Sequence, residues 1–346
     1  MKSDGDRTVT WRQLTEADGT CEIVAAAATA VRSDEPAKCS QDAAVNPLGM
    51  PAPRDVGRWG TVVLHGGRYD PRVIATFPTL PGTARPNFVH CPAASSRWRP
   101  QPEESAAALR SRLEEDLYEW PTMQRRGVIG KLDFLTTATP ADARSSVFVA
   151  PLRKAHAVWF SGGDQSVLAN LFIDANRPTL FQQELREVLR RGGAVGGTSA
   201  GMAAMARVMT VDESAEPGAP PRAHIAQGFG LLDNVILEQH YLGEGRGGRI
   251  ERFVGLLFDN QKTQELLRES TGRAERLIGL VVEEKTALVV KQNQLRVFGD
   301  RQAHVFLKSF DQKTLSWHAL MPGDEATIRE TDDGPVLKME HLEVRP

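Results

Sequence analysis

One serine set between glycines, in Gly197-Thr198-Ser199-Ala200-Gly201, narrows the folds open to this chain more than any other stretch. The upstream run Ala194-Val195-Gly196 is short, apolar and fit for a buried strand, while Met202-Ala203-Ala204-Met205-Ala206 is small and helix-favouring. A serine driven through a strand-to-helix elbow exposes its hydroxyl above a sheet edge, beside backbone N–H groups at the helix start. That arrangement needs an α/β sheet beneath it. It also suits a nucleophile, because the same N–H groups can hold an oxyanion. A glycine-rich turn that merely packs a helix closely on a strand would use the same residues, so the string alone does not decide.

From Thr61 onward the chain supports such a sheet. Strand-like runs alternate with amphipathic helical ones, the pattern of a parallel sheet covered on both faces. Glu104–Tyr118 places Leu109, Leu113 and Leu117 on one face. Phe181–Arg191 groups Phe181, Leu185, Val188 and Leu189 and stops at Gly192-Gly193. Ile250–Phe258 repeats the spacing. These stripes are core packing and carry no chemistry.

Three further strings do. Ala157-Val158-Trp159-Phe160 reads as a buried strand and runs into Ser161-Gly162-Gly163-Asp164-Gln165, whose paired glycines let backbone approach an anion. Glu238-Gln239-His240-Tyr241 follows the apolar stretch Gly230–Leu237 and offers a base for serine catalysis. Glu283-Glu284-Lys285-Thr286-Ala287 lies between two apolar runs and offers a carboxylate to orient that base. Neighbours in extended chain point to opposite faces, so only one of the two glutamates can reach it.

Together these four strings resemble the cyanophycinase family, the serine peptidases of family S51, related to aspartyl dipeptidases, that hydrolyse β-aspartyl-arginine links. Counterparts of the family's sheet-edge G-G-D-Q, G-T-S-A-G elbow, D-Q-H-F segment and D-E-x-T-A segment stand here in the same order, the last two as Glu238-Gln239-His240-Tyr241 and Glu283-Glu284-Lys285-Thr286-Ala287. The likeness spans roughly Thr61 to Leu307, about 250 residues. Thr61–Gly67 and Asn87–Ser96 are softer matches to the first two strands and their loops. The resemblance implies a class I glutamine amidotransferase-like fold: a three-layer α/β/α sandwich around a mostly parallel sheet, with the site at the carboxyl ends of its strands. It implies Ser199 as nucleophile, His240 as general base and Glu284 as orienting acid, with Gly163, Asp164 and Ala200 supplying oxyanion N–H groups. Gln165, Glu238, Gln239, Arg246, Arg249 and Arg252 would line the substrate pocket. Two departures stand out: Glu238 replaces the aspartate before Q-H, and Glu244 stands where the family has its first arginine after the histidine. Arginine pairs suit a substrate carboxylate, since the planar fork grips two oxygens at once.

The implied reaction is amide hydrolysis through an acyl-enzyme on a β-aspartyl-arginine peptide substrate, with no cofactor and no metal. Two alternatives remain open. An α/β-hydrolase esterase shares G-x-S-x-G but orders its triad serine, acid, histidine, which would recruit His318 or His341. A catalytically silent binding homologue would keep the pocket without turnover.

Composition adds limits. At 346 residues, with 41% hydrophobic and 25% charged residues, the chain can bury a large core. A net charge of −2 gives no field that favours nucleic acid or an anionic membrane. No run approaches about 18 apolar residues, so a membrane span is not expected. The start lacks the apolar core of a secretory signal, which points to the cytoplasm, or to export with a signal peptide outside this sequence. Three cysteines make no disulfide framework; Cys21 and Cys39 can pair only on export. Residues 1–58 read as a loosely structured extension, 59–310 as the catalytic domain and 311–346 as a C-terminal tail packed on it. Asp212–Pro221 reads as a surface loop, and a homodimer is expected.

Overall fold

The computed structural model describes residues 46–174, 176–212, 224–240, 253–257, 261–268, 276–311 and 313–340. Outside that set fall Cys21 and Cys39, most of the loop expected at Asp212–Pro221, and Glu244, Arg246, Arg249, Arg252 and His341.

The alternation read from Thr61 onward builds five parallel strands: β1 (Thr61–His65), β2 (Phe88–Cys91), β3 (Leu132–Phe134), β4 (Ala157–Phe160) and β5 (Ala194–Thr198). They pair in the order β1-β5-β4-β2-β3. Residue alternation puts Val62 and Leu64 into one core and Val63 into another, so both faces of β1 are buried. On the Val63 face lie α1 (Pro71–Thr76), α2 (Ala106–Asp116) and α3 (Glu119–Arg125), contributing Val73, Leu113 and Trp120. On the other lie α4 (Gln165–Phe172) and α5 (Leu180–Arg190). The apolar stripe of α5 buries Phe181, Leu185, Val188 and Leu189, and Phe181 stacks on Phe172 with ring centroids 4.2 Å apart. The start of α5 is fixed by a reciprocal capping pair, Thr179 with Gln182.

The expectation of a mostly parallel sheet is corrected here, because the sheets are mixed. Beyond β5 the chain forms a one-turn helix, α6 (Ala200–Ala203), and then β6 (Ala206–Asp212), β7 (His224–Gln227), β8 (Leu232–Gln239) and β9 (Ile278–Val282). The C-terminal part adds β10 (Thr286–Lys291), β11 (Gln294–Gly299), β12 (Ala303–Lys308), β13 (Leu315–Leu320), β14 (Glu325–Thr331) and β15 (Gly334–Glu340). Among the described residues these make two mixed sheets. In the nine-stranded one, β10, β11, β14 and β15 extend the parallel half antiparallel, through β10 on β1. The six-stranded one runs β13-β12-β9-β8-β6-β7, parallel only at β6–β8 and β8–β9. Connection length accounts for the hairpins β10–β11, β12–β13 and β14–β15. A parallel crossover needs a dozen residues or more, whereas the links after β10 are short, and Lys291 pairs with Gln294 across a two-residue loop.

The second sheet shares one core with the first, through Met209, Leu237, Leu280 and Val305. Its far face packs on Phe253, Leu256, Leu257 and Leu267. Leu48 and Met50 are buried in the shared core, so the segment ahead of β1 joins the body well before residue 58.

Candidate active site

The two sheets meet where the chain crosses between them, and three side chains converge there. Ser199 stands where the chain leaves β5 of the first sheet for β6 of the second. His240 follows directly on β8 of the second sheet, and Glu284 lies between β9 of the second and β10 of the first. Ser199 Oγ is 2.7 Å from His240 Nε2, and His240 Nδ1 is 2.8 Å from Glu284 Oε1.

Backbone geometry holds each member in place. Ser199 has φ 52° and ψ −116°, a left-handed outlier for a residue with a side chain, and donates its N–H to the His65 carbonyl at 3.0 Å. The turn is this tight because Gly197 and Gly201 touch: a Cβ on Gly197 would sit 2.5 Å from the Gly201 carbonyl carbon. His240 is left-handed too, at φ 54°, and its N–H donates to the Gly66 carbonyl at 3.0 Å. Gly67, at φ 111°, clears space for the imidazole, since a Cβ there would lie 2.1 Å from His240 Cε1. Lys285, at φ 56°, donates its N–H to the Gly67 carbonyl at 2.7 Å and so presents Glu284.

The adjacent glutamates do point apart. Glu283 is buried and accepts from His304 Nε2 at 3.0 Å, while Trp317 Nε1 donates to His304 Nδ1 at 3.2 Å. Glu284 has its second oxygen, Oε2, 2.7 Å from Arg68 Nε.

The amides of Gly163 and Ala200 have no hydrogen-bond acceptor among the described residues and flank the serine turn in sequence and sheet order. Asp164 must be removed from the oxyanion set. Its N–H donates to the Ala94 carbonyl at 3.0 Å, and its carboxylate caps α4 by accepting from the Ser166 N–H at 2.8 Å. Gln165 opens α4 and donates Nε2 to the Thr210 carbonyl at 2.7 Å. Gln239 is buried at the end of β8, and Glu238 beside it has no exposed surface. His318, the alternative base, lies on β13 opposite Val305. No group of three or more His, Cys, Asp or Glu that could hold a metal occurs among the described residues, and no helix there is long and apolar enough to cross a membrane.

Sequence reasoning missed two residues near this centre, Arg68 and His65, and a further buried imidazole, His90. His65 and Arg68 flank the glycine pair that ends β1, which was the available signal. His65 is buried, with Nδ1 2.8 Å from Thr198 Oγ1. Burial, reinforced by His240 and opposed by Asp70, pushes its pKa down to about 4. His90 is buried with Nε2 2.7 Å from Ser161 Oγ, and burial pushes its pKa down to about 3.

Both imidazoles are therefore neutral in the fold at pH 7. As pH falls from 6.5 toward 4, the unfolded chain takes up protons on them that the folded chain refuses, so stability falls with pH through that window. Going from pH 7 to 5 should cost about 2 kcal/mol for each of the two. Urea unfolding at the two pH values measures this, and equal stabilities would rule out buried neutral histidines here.

Comparison with known proteins follows the same geography. The model of peptidase family S51 matches residues 123–298, just over half the chain, including Ser199, His240 and Glu284. A cyanophycinase of Synechococcus elongatus is 32% identical over 125 residues, 35% of this chain and 37% of that protein. One from Geminocystis herdmanii is 30% identical over 146 residues, 41% of this chain and 46% of that protein. The chain thus spans less than half the length of these curated relatives. The crystal structure of a peptidase from an acI-B1 Actinobacterium superposes with a TM-score of 0.52 at 22% identity, covering 78% of this chain and 97% of that one, a likeness of fold.

Proposed function

We propose, from the premise that this chain belongs to peptidase family S51, that it is a serine exopeptidase acting on aspartyl amides, with β-aspartyl-arginine compounds (cyanophycin or β-aspartyl peptides) as its substrate class. The observation that carries this reading is the continuous relay from Ser199 Oγ through His240 to Glu284 Oε1, with contacts of 2.7 and 2.8 Å.

The chemistry follows from the relay. His240 Nε2 takes the Ser199 hydroxyl proton as Oγ adds to the aspartyl carbonyl carbon. Glu284 accepts from His240 Nδ1–H, which fixes the tautomer and stabilises the imidazolium as it forms. The Gly163 and Ala200 amides take the developing oxyanion. Collapse breaks the C–N bond; His240 hands its proton to the leaving amine, and the acyl group stays on Ser199. Water then adds to the ester, its proton goes to His240, and that proton returns to Ser199 Oγ as the acid leaves. Selectivity for the aspartyl side is assigned to Gln165, Gln239, Arg246, Arg249 and Arg252. The arginines carry the family pattern in sequence, with Glu244 in place of the first.

The esterase alternative loses ground because the contacts run serine, histidine, acid in chain order, as in family S51 and unlike the α/β-hydrolases. The test is incubation with cyanophycin, β-Asp-Arg, α-Asp-Arg and a simple aryl ester, read by mass spectrometry, beside labelling with a fluorophosphonate. Release of aspartyl products together with an adduct on Ser199 is expected. An adduct without aspartyl hydrolysis would overturn the substrate assignment alone; no adduct and no hydrolysis would leave the silent binding homologue.

A further inference from the structure

We propose that Arg68 is a positioning residue of this relay, holding Glu284 by its outer oxygen so that the inner oxygen stays on His240. The proposal rests on the serine-hydrolase reading above. Arg68 Nε lies 2.7 Å from Glu284 Oε2 while His240 Nδ1 holds Oε1 at 2.8 Å. A carboxylate held at one oxygen can swing about its last bond, whereas one held at both by charge-assisted donors is fixed in plane.

The backbone adds an independent observation. Arg68 has φ 58°, a left-handed conformation that a residue with a side chain adopts at a cost and keeps only where its surroundings over-determine it. Those surroundings are the site itself. The Gly66 carbonyl takes the His240 N–H, the Gly67 carbonyl takes the Lys285 N–H, and the Arg68 side chain takes Glu284. Three consecutive residues leaving β1 thus fix the base, the backbone of the acid and the carboxylate of the acid.

The Arg68 side chain is 59% exposed, so its ion pair adds little to folding stability. Its effect is on orientation and charge. Other ionisable groups around the relay are His65 from β1 and Lys285 in the turn. The Glu283–His304 pair lies on the opposite side, with Arg301 4.0 Å from Glu283. Taking the guanidinium away leaves more of the Glu284 charge to the imidazole and makes His240 easier to protonate. The acid limb of reactivity should then move up by roughly half a pH unit.

The test measures fluorophosphonate labelling rate against pH for the wild type, Arg68→Gly, Arg68→Lys and Ser199→Ala, beside thermal midpoints. Labelling reports the nucleophile whatever the natural substrate is. Arg68→Gly should label about tenfold more slowly, with the acid limb raised, yet melt no lower than the wild type, because glycine relieves the strained φ. Arg68→Lys should recover part of the rate and return the limb, as it keeps the charge. Wild-type rate and limb in Arg68→Gly would overturn the proposal, and so would a rate loss matched by a lowered midpoint. Labelling of Ser199→Ala would instead sink the relay reading beneath it.

Discussion

Ser199→Ala should lower turnover by roughly three to six orders of magnitude while the folded state survives. The substitution removes a single hydroxyl from a turn whose shape is set elsewhere, by the Gly197–Gly201 contact and by the Ser199 N–H on the His65 carbonyl. Alanine inherits the left-handed φ of 52° at the same cost as serine, so thermal stability should hardly move. His240→Ala should match it, and the double variant should be no slower than either single one, because members of a relay act as a unit. Single-turnover kinetics with β-Asp-Arg check this. A tenth of wild-type activity in Ser199→Ala would eliminate it as nucleophile.

Gly67→Ala should come close to that loss without touching any reacting atom. The new Cβ would stand 2.1 Å from His240 Cε1 and 2.6 Å from both ring nitrogens, far inside van der Waals contact, so the imidazole must leave its place. Displacing the base by about 1 Å costs on the order of a hundredfold, and full expulsion approaches the His240→Ala value. The φ of 111° adds backbone strain of roughly 1–3 kcal/mol, which denaturant melts would show separately. A Gly67→Ala variant that folds and keeps wild-type turnover would mean that His240 is not held where this structure has it.

Much of the site was legible because its parts are local strings. Gly-Thr-Ser-Ala-Gly makes an elbow from five neighbours, and Glu283-Glu284 divides its roles at the strand end, where the turn at Lys285 takes Glu284 to the other side. What escaped depends on meetings that no string contains. Arg68 matters because a turn near the start of the sheet meets residue 284. Asp164 looked like an anion-binding residue, but its amide was claimed by Ala94 on a neighbouring loop and its carboxylate by a helix cap. The core-facing stripe of α5 was plain from its spacing, since 3.6-residue periodicity encodes burial. Strand direction is not so encoded. The apolar runs after residue 276 read as strands; two-residue links make β10–β11 and β14–β15 antiparallel hairpins, while β10 on β1 and β11 on β14 are pairings distant in sequence.

The placement of the triad at the crossings between the two sheets makes the assembled relay depend on distant parts of the chain. Strand β1 finds its antiparallel partner only in residues 287–290, and the acid sits just ahead of them. A nascent chain that has displayed its serine and even its histidine therefore carries no working nucleophile. The relay needs the β9–β10 crossing, which carries Glu284, as well as the crossings that carry Ser199 and His240. Under heat or denaturant this joint should loosen early, so any hydrolysis should fade ahead of the circular dichroism signal.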